Sequence, residues 1–226
     1  LPLAVPAALR IGEPGEGYPW SWSVLPWLEG QAADQHPADA DQWALWIAFL
    51  RALHQEPPAD APRNESRGVP LQNRADAVEP RLERLRQSTP LITPIVERLW
   101  QRALDTPIDV SDTWIHGDLH QRNVLVSNGT FSGVVDWGDV CRGDRATDLA
   151  SVWMQFSDPR ARRQARDALD DVTDATWHRA FGWAVFYATL LLDTGRVDNP
   201  RHAAMGEQIF RRLEEDGSGS SDVSIR

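Results

Sequence analysis

Between Trp114 and Ala150 the chain reads W-I-H-G-D-L-H-Q-R-N-V-L-V, then G-V-V-D-W-G-D, then G-D-R-A-T-D-L-A, and no other stretch constrains the fold as tightly. Asp118 and Asn123 stand five positions apart, separated by Leu119, His120, Gln121 and Arg122, and the apolar Val124-Leu125-Val126 follows at once. That pattern predicts a short loop running into a buried strand. A second apolar run, Phe131 to Val135, lies beyond Ser127-Asn128-Gly129-Thr130, whose Asn-Gly pair is a strong hairpin signal. Closing the hairpin returns Asp136, at the end of the second strand, to the side of Asn123 at the start of the first. One hairpin thereby gathers an acid, an amide and a second acid about one point.

Moving a phosphoryl group from a nucleotide to an alcohol needs an oriented hydroxyl and divalent cations that neutralise the β- and γ-phosphates. A carboxylate beside the nucleophile supplies the first. Oxygen ligands supply the second, because magnesium prefers carboxylates, amide oxygens, phosphates and water. The protein-kinase catalytic loop, H-R-D-x-x-x-x-N with a metal-binding Asp near a strand end, has the spacing seen here as His116-Gly117-Asp118, four residues, Asn123, and then Asp136. With Gly117, His120 and the run from Gly143 to Ala150 added, the sequence resembles the aminoglycoside phosphotransferase and choline kinase group of small-molecule kinases.

The resemblance implies an α+β, protein-kinase-like fold with a mostly helical C-terminal lobe and a truncated N-terminal β lobe. It implies ATP and Mg2+ as cofactors and the hydroxyl of a small molecule, an aminoglycoside-like antibiotic or a related metabolite, as acceptor. By the same resemblance Asp118 is the catalytic base or hydroxyl-orienting residue, and Asn123 and Asp136 hold magnesium. His116 and His120 support the site, Asp148 hydrogen-bonds the catalytic-loop backbone from behind, and Asp144 helps start the following helix.

Other readings compete at several positions. His116 and His120, four apart, match zinc-ligand spacing on a helix, although Gly117 and the strand that follows oppose a helix. Asp139 could touch a cationic substrate or lie on a solvated loop. A catalytically silent kinase-like protein that binds a ligand or partner is the alternative from another class.

All 23 basic residues are arginine, so the lysine that pairs with the α- and β-phosphates in such kinases is absent, as is a glycine-rich phosphate loop. From Leu1 the chain reads as the end of a small lobe. Ala8 to Gly12 are expected as a strand and turn, and Trp20 to Leu28 as an apolar strand. By resemblance residues 1–30 are a remnant of the N-terminal lobe and hinge, belonging either to a longer kinase or to a natural remnant, and such a chain is expected to bind MgATP poorly and turn over slowly. Trp27 and Leu28 would receive adenine through backbone groups, since Pro26 has no N–H. The same tryptophan-rich segment could instead be a buried edge strand.

Residues 31–213 are read as the helical catalytic lobe. Asp39 or Asp41 can cap a helix to about His54, with Trp43, Trp46, Ile47 and Leu50 at helical spacing. Gln55 to Pro70 is a proline-rich connection. Helices are expected near Asn73–Gln87, Pro90–Leu104, Asp144–Phe156, Pro159–Leu169, Asp174–Leu192 and Asn199–Leu213, and residues 214–226 as a disordered polar tail. Trp153, Trp177, Trp183, Phe186 and Tyr187 could line an acceptor pocket or simply pack the core.

The single cysteine, Cys141, excludes an internal disulfide, and a reducing cytoplasm is the simplest setting. The formal charge of −10 argues against nucleic acid or an anionic membrane as partner and gives a slight push toward a cationic small substrate.

Overall fold

The computed structural model describes residues 1–218. Among the described residues the chain forms three small sheets and eight α-helices. Strand β1 (Arg10–Gly12) pairs antiparallel with β2 (Trp22–Val24) as a separate ribbon. Trp20, Trp22 and Trp27 project from this region into solvent, Trp27 with 93% of its surface exposed. The segment is therefore an exposed ribbon and not the buried edge strand allowed by its composition, and its regular part is far shorter than Trp20 to Leu28. It has no facing layer to bury its rings.

The central sheet has the order β3 (Gln31–Ala32), β5 (Val124–Ser127), β6 (Thr130–Val134). The β5–β6 hairpin closes at Asn128 and Gly129, with φ of 50° and 77°, the left-handed pair that a tight hairpin needs. Val124 pairs with Val134, so the residues just outside the ladder, Asn123 and Val135, meet at its open end. Strand β4 (Thr113–Ile115) pairs with β7 (Cys141–Gly143) and carries the chain into the loop that precedes the hairpin.

Helix α1 (Trp43–Leu53) buries Trp46, Ile47, Phe49 and Leu50. Neither Asp39 nor Asp41 caps it by side chain; a 3-10 turn over Ala40–Gln42 leads in, and Asp39 N–H donates to Gly129 O at 2.8 Å. Helices α2 (Ala75–Ser88) and α3 (Pro94–Leu104) follow. Thr93 caps α3 by accepting from Val96 N–H, with Pro94 at the first helical position where a missing N–H costs nothing. Asp158 and Pro159 repeat this device at α6 (Pro159–Ala168). The helix expected from Asp144 to Phe156 is two short ones, α4 (Ala146–Leu149) and α5 (Ser151–Gln155), meeting at Ala150.

Helix α7 (Asp174–Asp198) is the axis of the core, with buried residues on all its faces as a fully enclosed helix requires. It packs against α2, α3, α4 and α8 (Pro200–Ser218). Both of these last helices outrun their apolar patterns. Helix α7 continues past Leu192, and α8 continues through residues 214–218, where the tail was expected. For α8 the cause is tertiary: Asp216 accepts from Trp153 Nε1 at 2.9 Å and from buried Arg162, whose Nη2 lies 2.8 Å away. The rest of the expected tail, 219–226, lies outside the described residues.

Helices α7 and α8 touch backbone to backbone at Gly206. A Cβ there would lie 2.7 Å from both Ala188 O and Leu192 N, atoms that cannot move without bending α7. Gly206→Ala is expected to destabilise the protein by about 1–3 kcal/mol through overpacking, despite alanine's better helix propensity. An unchanged denaturation midpoint would show that the helices can separate freely. Among the described residues no helix is long and apolar enough to cross a membrane.

Candidate active site

The His116–Asp118 segment is held by a carboxylate from behind. Asp148 in α4, with no exposed surface, accepts His116 N–H at 2.8 Å and Gly117 N–H at 2.9 Å on its two oxygens, and His54 Nε2 approaches the same group at 3.3 Å. Two consecutive backbone donors can share one carboxylate only if the chain turns sharply, and Gly117 has φ of 85°. A side chain there would be strained and would press on Arg67 and on Asp139 O, each 3.1 Å from a Cβ position. Glycine is thus required where protein kinases carry arginine.

His116 is the second clip. Its Nδ1 accepts from Asp118 N–H at 3.2 Å and its Nε2 donates to Val135 O at 3.0 Å, while the ring stacks edge-on against Trp137. With both ring nitrogens engaged it has none to offer a metal, so the zinc reading fails on geometry. The histidine instead ties the Asp118 loop to the turn that carries Asp136. His120 lies at the start of the 3-10 turn Gln121–Asn123, its Nδ1 accepting from Arg122 N–H and its Nε2 3.5 Å from Asp118 Oδ2. Burial lowers its pKa against the pull of Asp118, and the cations Arg122 and His202 act in the same direction as burial.

Asn123 donates through Nδ2 to Asp118 O at 2.9 Å and to Asp118 Oδ2 at 3.2 Å. This orients the acid and leaves the amide oxygen of Asn123 without a donor among the described residues. Across the end of the hairpin, Val135 N–H donates to Asn123 O at 2.9 Å, and the next residue is Asp136. Asp136 adopts the left-handed conformation, φ 61° and ψ 64°, an arrangement that costs free energy in a non-glycine residue and is common at functional positions. Its side chain is exposed and, among the described residues, joins no hydrogen bond or ion pair. An amide oxygen and an uncompensated carboxylate at one end of a hairpin are the donor set that magnesium favours.

Asp144 accepts Ala146 N–H at 3.1 Å at the start of α4, but its stronger partner is Arg179 of α7. Arg179 Nε lies 2.6 Å from Asp144 Oδ2 with both side chains 1% exposed. Burial works against the charge of Arg179, and the hydrogen bonds to Asp144 and Asp109 more than offset it, so its pKa stands above the ordinary arginine value. Trp27 and Leu28 sit on the connection into β3. Leu28 packs over Gly133, Ser132 Oγ donates to Glu29 O at 3.0 Å, and no described group bonds the backbone of Trp27 or Leu28.

Several residues at the site carry no local pattern. Arg67, in the proline-rich connection, places Nη2 3.7 Å from Asp118 Oδ1 and Nε 3.4 Å from Asp139 Oδ2, and lies over the Tyr187 and Phe186 rings. Asp139, open as substrate contact or solvated charge, is held by Arg67 and by Asn64 Nδ2 at 2.9 Å. Tyr187, fully buried and with its pKa raised by that burial, donates its hydroxyl to Gly117 O. Of the five aromatics weighed as a pocket lining, Trp153, Trp177 and Trp183 are core, and only Phe186 and Tyr187 offer a face toward the site, already covered by arginine.

A family model for the phosphotransferase enzyme family matches residues 1–184. No curated protein matches in sequence. Among solved structures the chain is similar to the GDP complex of aminoglycoside 2′-phosphotransferase-IIIa, at 19% identity and TM-score 0.58, covering 96% of this chain and 77% of that one. It is also similar to a thermostable mutant of aminoglycoside phosphotransferase APH(4)-Ia in ternary complex with AMP-PNP and hygromycin B, at 16% identity and TM-score 0.55, covering 98% and 79%. A GDP and kanamycin complex of a related phosphotransferase aligns at 16% identity and TM-score 0.55, covering 96% and 77%. At these identities the likeness establishes the protein-kinase-like fold, and the family match over most of the length establishes the rest: the chain belongs to the phosphotransferase enzyme family.

Proposed function

We propose that this protein is a magnesium- and ATP-dependent phosphotransferase that moves the γ-phosphoryl group to a hydroxyl of a small molecule. The observation that carries this reading is the gathering of Asp118, Asn123 and Asp136 at the open end of one hairpin, with Asn123 orienting Asp118 while its own oxygen and the Asp136 carboxylate stay free. Asn123 and Asp136 would hold the metal, which when bound neutralises charge on the phosphates of the nucleotide. Asp118 accepts the proton of the acceptor hydroxyl as its oxygen bonds to the γ-phosphorus. The bridging P–O bond to ADP breaks, and ADP leaves with the electron pair. Asp148, His116 and Tyr187 keep the loop backbone from shifting, which matters because such chemistry depends on positioning more than on covalent assistance. Trp27 and Leu28, with free backbone groups, are the proposed adenine contacts.

Calorimetric titration of ATP with and without magnesium tests the nucleotide site. Binding is expected to require magnesium and to weaken about ten- to a hundredfold in Asp136→Ala, the worth of a lost charge-assisted contact. Magnesium-independent binding that the variant retains would overturn the metal assignment.

A further inference from the structure

Arg67 stands beside Asp118, and Arg74 shares with it the ring of Phe186. Arg67 pairs with both acidic groups of this wall, Asp118 and Asp139, so one cation offsets half of their charge, and its guanidinium is anchored over Tyr187 at 5.5 Å and Phe186 at 5.8 Å from the ring centroids. A cationic acceptor would therefore meet carboxylates whose charge is partly offset, with a fixed cation beside them. Arg74 stands next in line at the entry to α2, its guanidinium 5.4 Å from the centroid of the same Phe186 ring. Arg81, seven residues further on, spends its charge on Asp193 at 3.4 Å.

Arg74 has no such outlet. Among the described residues no carboxylate pairs with it, and its Nε is buried without a hydrogen-bond partner. Burial, then the repulsion of Arg67 and Arg81, pulls its pKa below the ordinary arginine value. A half-buried guanidinium with an orphaned donor and cations for neighbours gains from any anion brought to it, and the planar fork of arginine fits carboxylate and phosphate oxygens.

We propose that Arg74, backed by Arg67 and the Phe186 ring, forms an anion subsite on the acceptor side of Asp118, so that the acceptor is an alcohol that also carries a carboxylate or phosphate group. This rests on the phosphotransferase reading above and reverses the slight push toward a cationic small substrate that the net charge gives. The anionic group anchors at Arg74 and turns the hydroxyl toward Asp118; the new O–P ester forms there, ADP departs with the electron pair of the broken bond, and the hydroxyl proton passes through Asp118 to solvent.

The test is titration of glycerol 3-phosphate, D-glycerate and kanamycin into the full chain and into Arg74→Ala, Arg74→Lys and the exposed control Arg163→Ala, followed by assay of each compound as acceptor with MgATP. At least one anion is expected to bind, about ten- to a hundredfold more weakly in Arg74→Ala, with partial recovery in Arg74→Lys and no change in Arg163→Ala. The glycerol 3-phosphate and D-glycerate arms separate phosphate from carboxylate. The subsite is overturned if neither anion binds, if binding survives Arg74→Ala, or if kanamycin binds more tightly than both. Anion binding without transfer would sink the phosphotransferase reading and leave the subsite standing; transfer to kanamycin with no anion binding would do the reverse.

Discussion

Asp118→Ala is expected to lower MgATP-dependent phosphoryl transfer by about 10²–10⁴-fold, the contribution of one positioned acid or base. The carboxylate is placed for this role by three partners: Asn123 Nδ2 on Oδ2, His116 Nδ1 on its own backbone N–H, and Arg67 near Oδ1. Removing it also leaves Arg67 with Asp139 as its single carboxylate, so a loss of activity could reflect a shifted Arg67. Asp118→Asn separates the two effects, since it keeps the shape and the hydrogen bond with Asn123 while giving up proton acceptance. Single-turnover transfer should collapse in both variants, with nucleotide affinity close to that of the parent. If Asp118→Asn transfers at the parent rate, the proton leaves by another route and the assignment is wrong.

The largest loss of stability is expected from Arg179→Met. Arg179 and Asp144 are a buried pair, and the arginine also donates to Pro107 O at 2.7 Å and approaches Asp109 at 2.9 Å. Deleting the cation strands the Asp144 carboxylate in the core, a change that costs about 3–5 kcal/mol when one partner of a buried ion pair is removed. Against a typical total of about 5–15 kcal/mol, much of the folded state's margin would be gone. Adding Asp144→Asn to that background removes the stranded charge and should return part of the loss. Equal midpoints for the single and double variants in chemical denaturation would mean that the pair is solvated and does not tie α7 to the start of α4.

The pair also shows where sequence reasoning stops. Asp144 could be read as a helix-starting acid from its place before Ala146, and it does accept that residue's N–H. Its principal partner lies 35 positions away on another helix, with nothing local to announce it. Arg67, Arg74 and His54 carry no local signal for the same reason, and Tyr187 reads only as one of five aromatics that line a pocket or pack the core. Arg67, His54 and Tyr187 reach the Asp118 loop or its Asp148 support from distant parts of the chain, and Arg74 reaches the Phe186 ring from the turn before α2.

What the sequence determined by itself was local. The Asn-Gly turn and the two apolar runs dictate the hairpin, because left-handed turn residues and strand alternation act within a few positions. The hairpin register then brings Asn123 and Asp136 to one end. Helix starts at Pro159 and Asp174 follow from side-chain caps just before them, whereas α3, expected from Pro90, starts at Pro94 behind the Thr93 cap, and the kinase-like fold follows from the motif that these elements frame. Only the tertiary structure decided how far α7 and α8 extend, that the tryptophan ribbon is exposed, and which charges stand against Asp118. Helix ends yield to partners such as Arg162 and Asp216, and the field at a site is summed over groups that the fold, and not the order of residues, brings together.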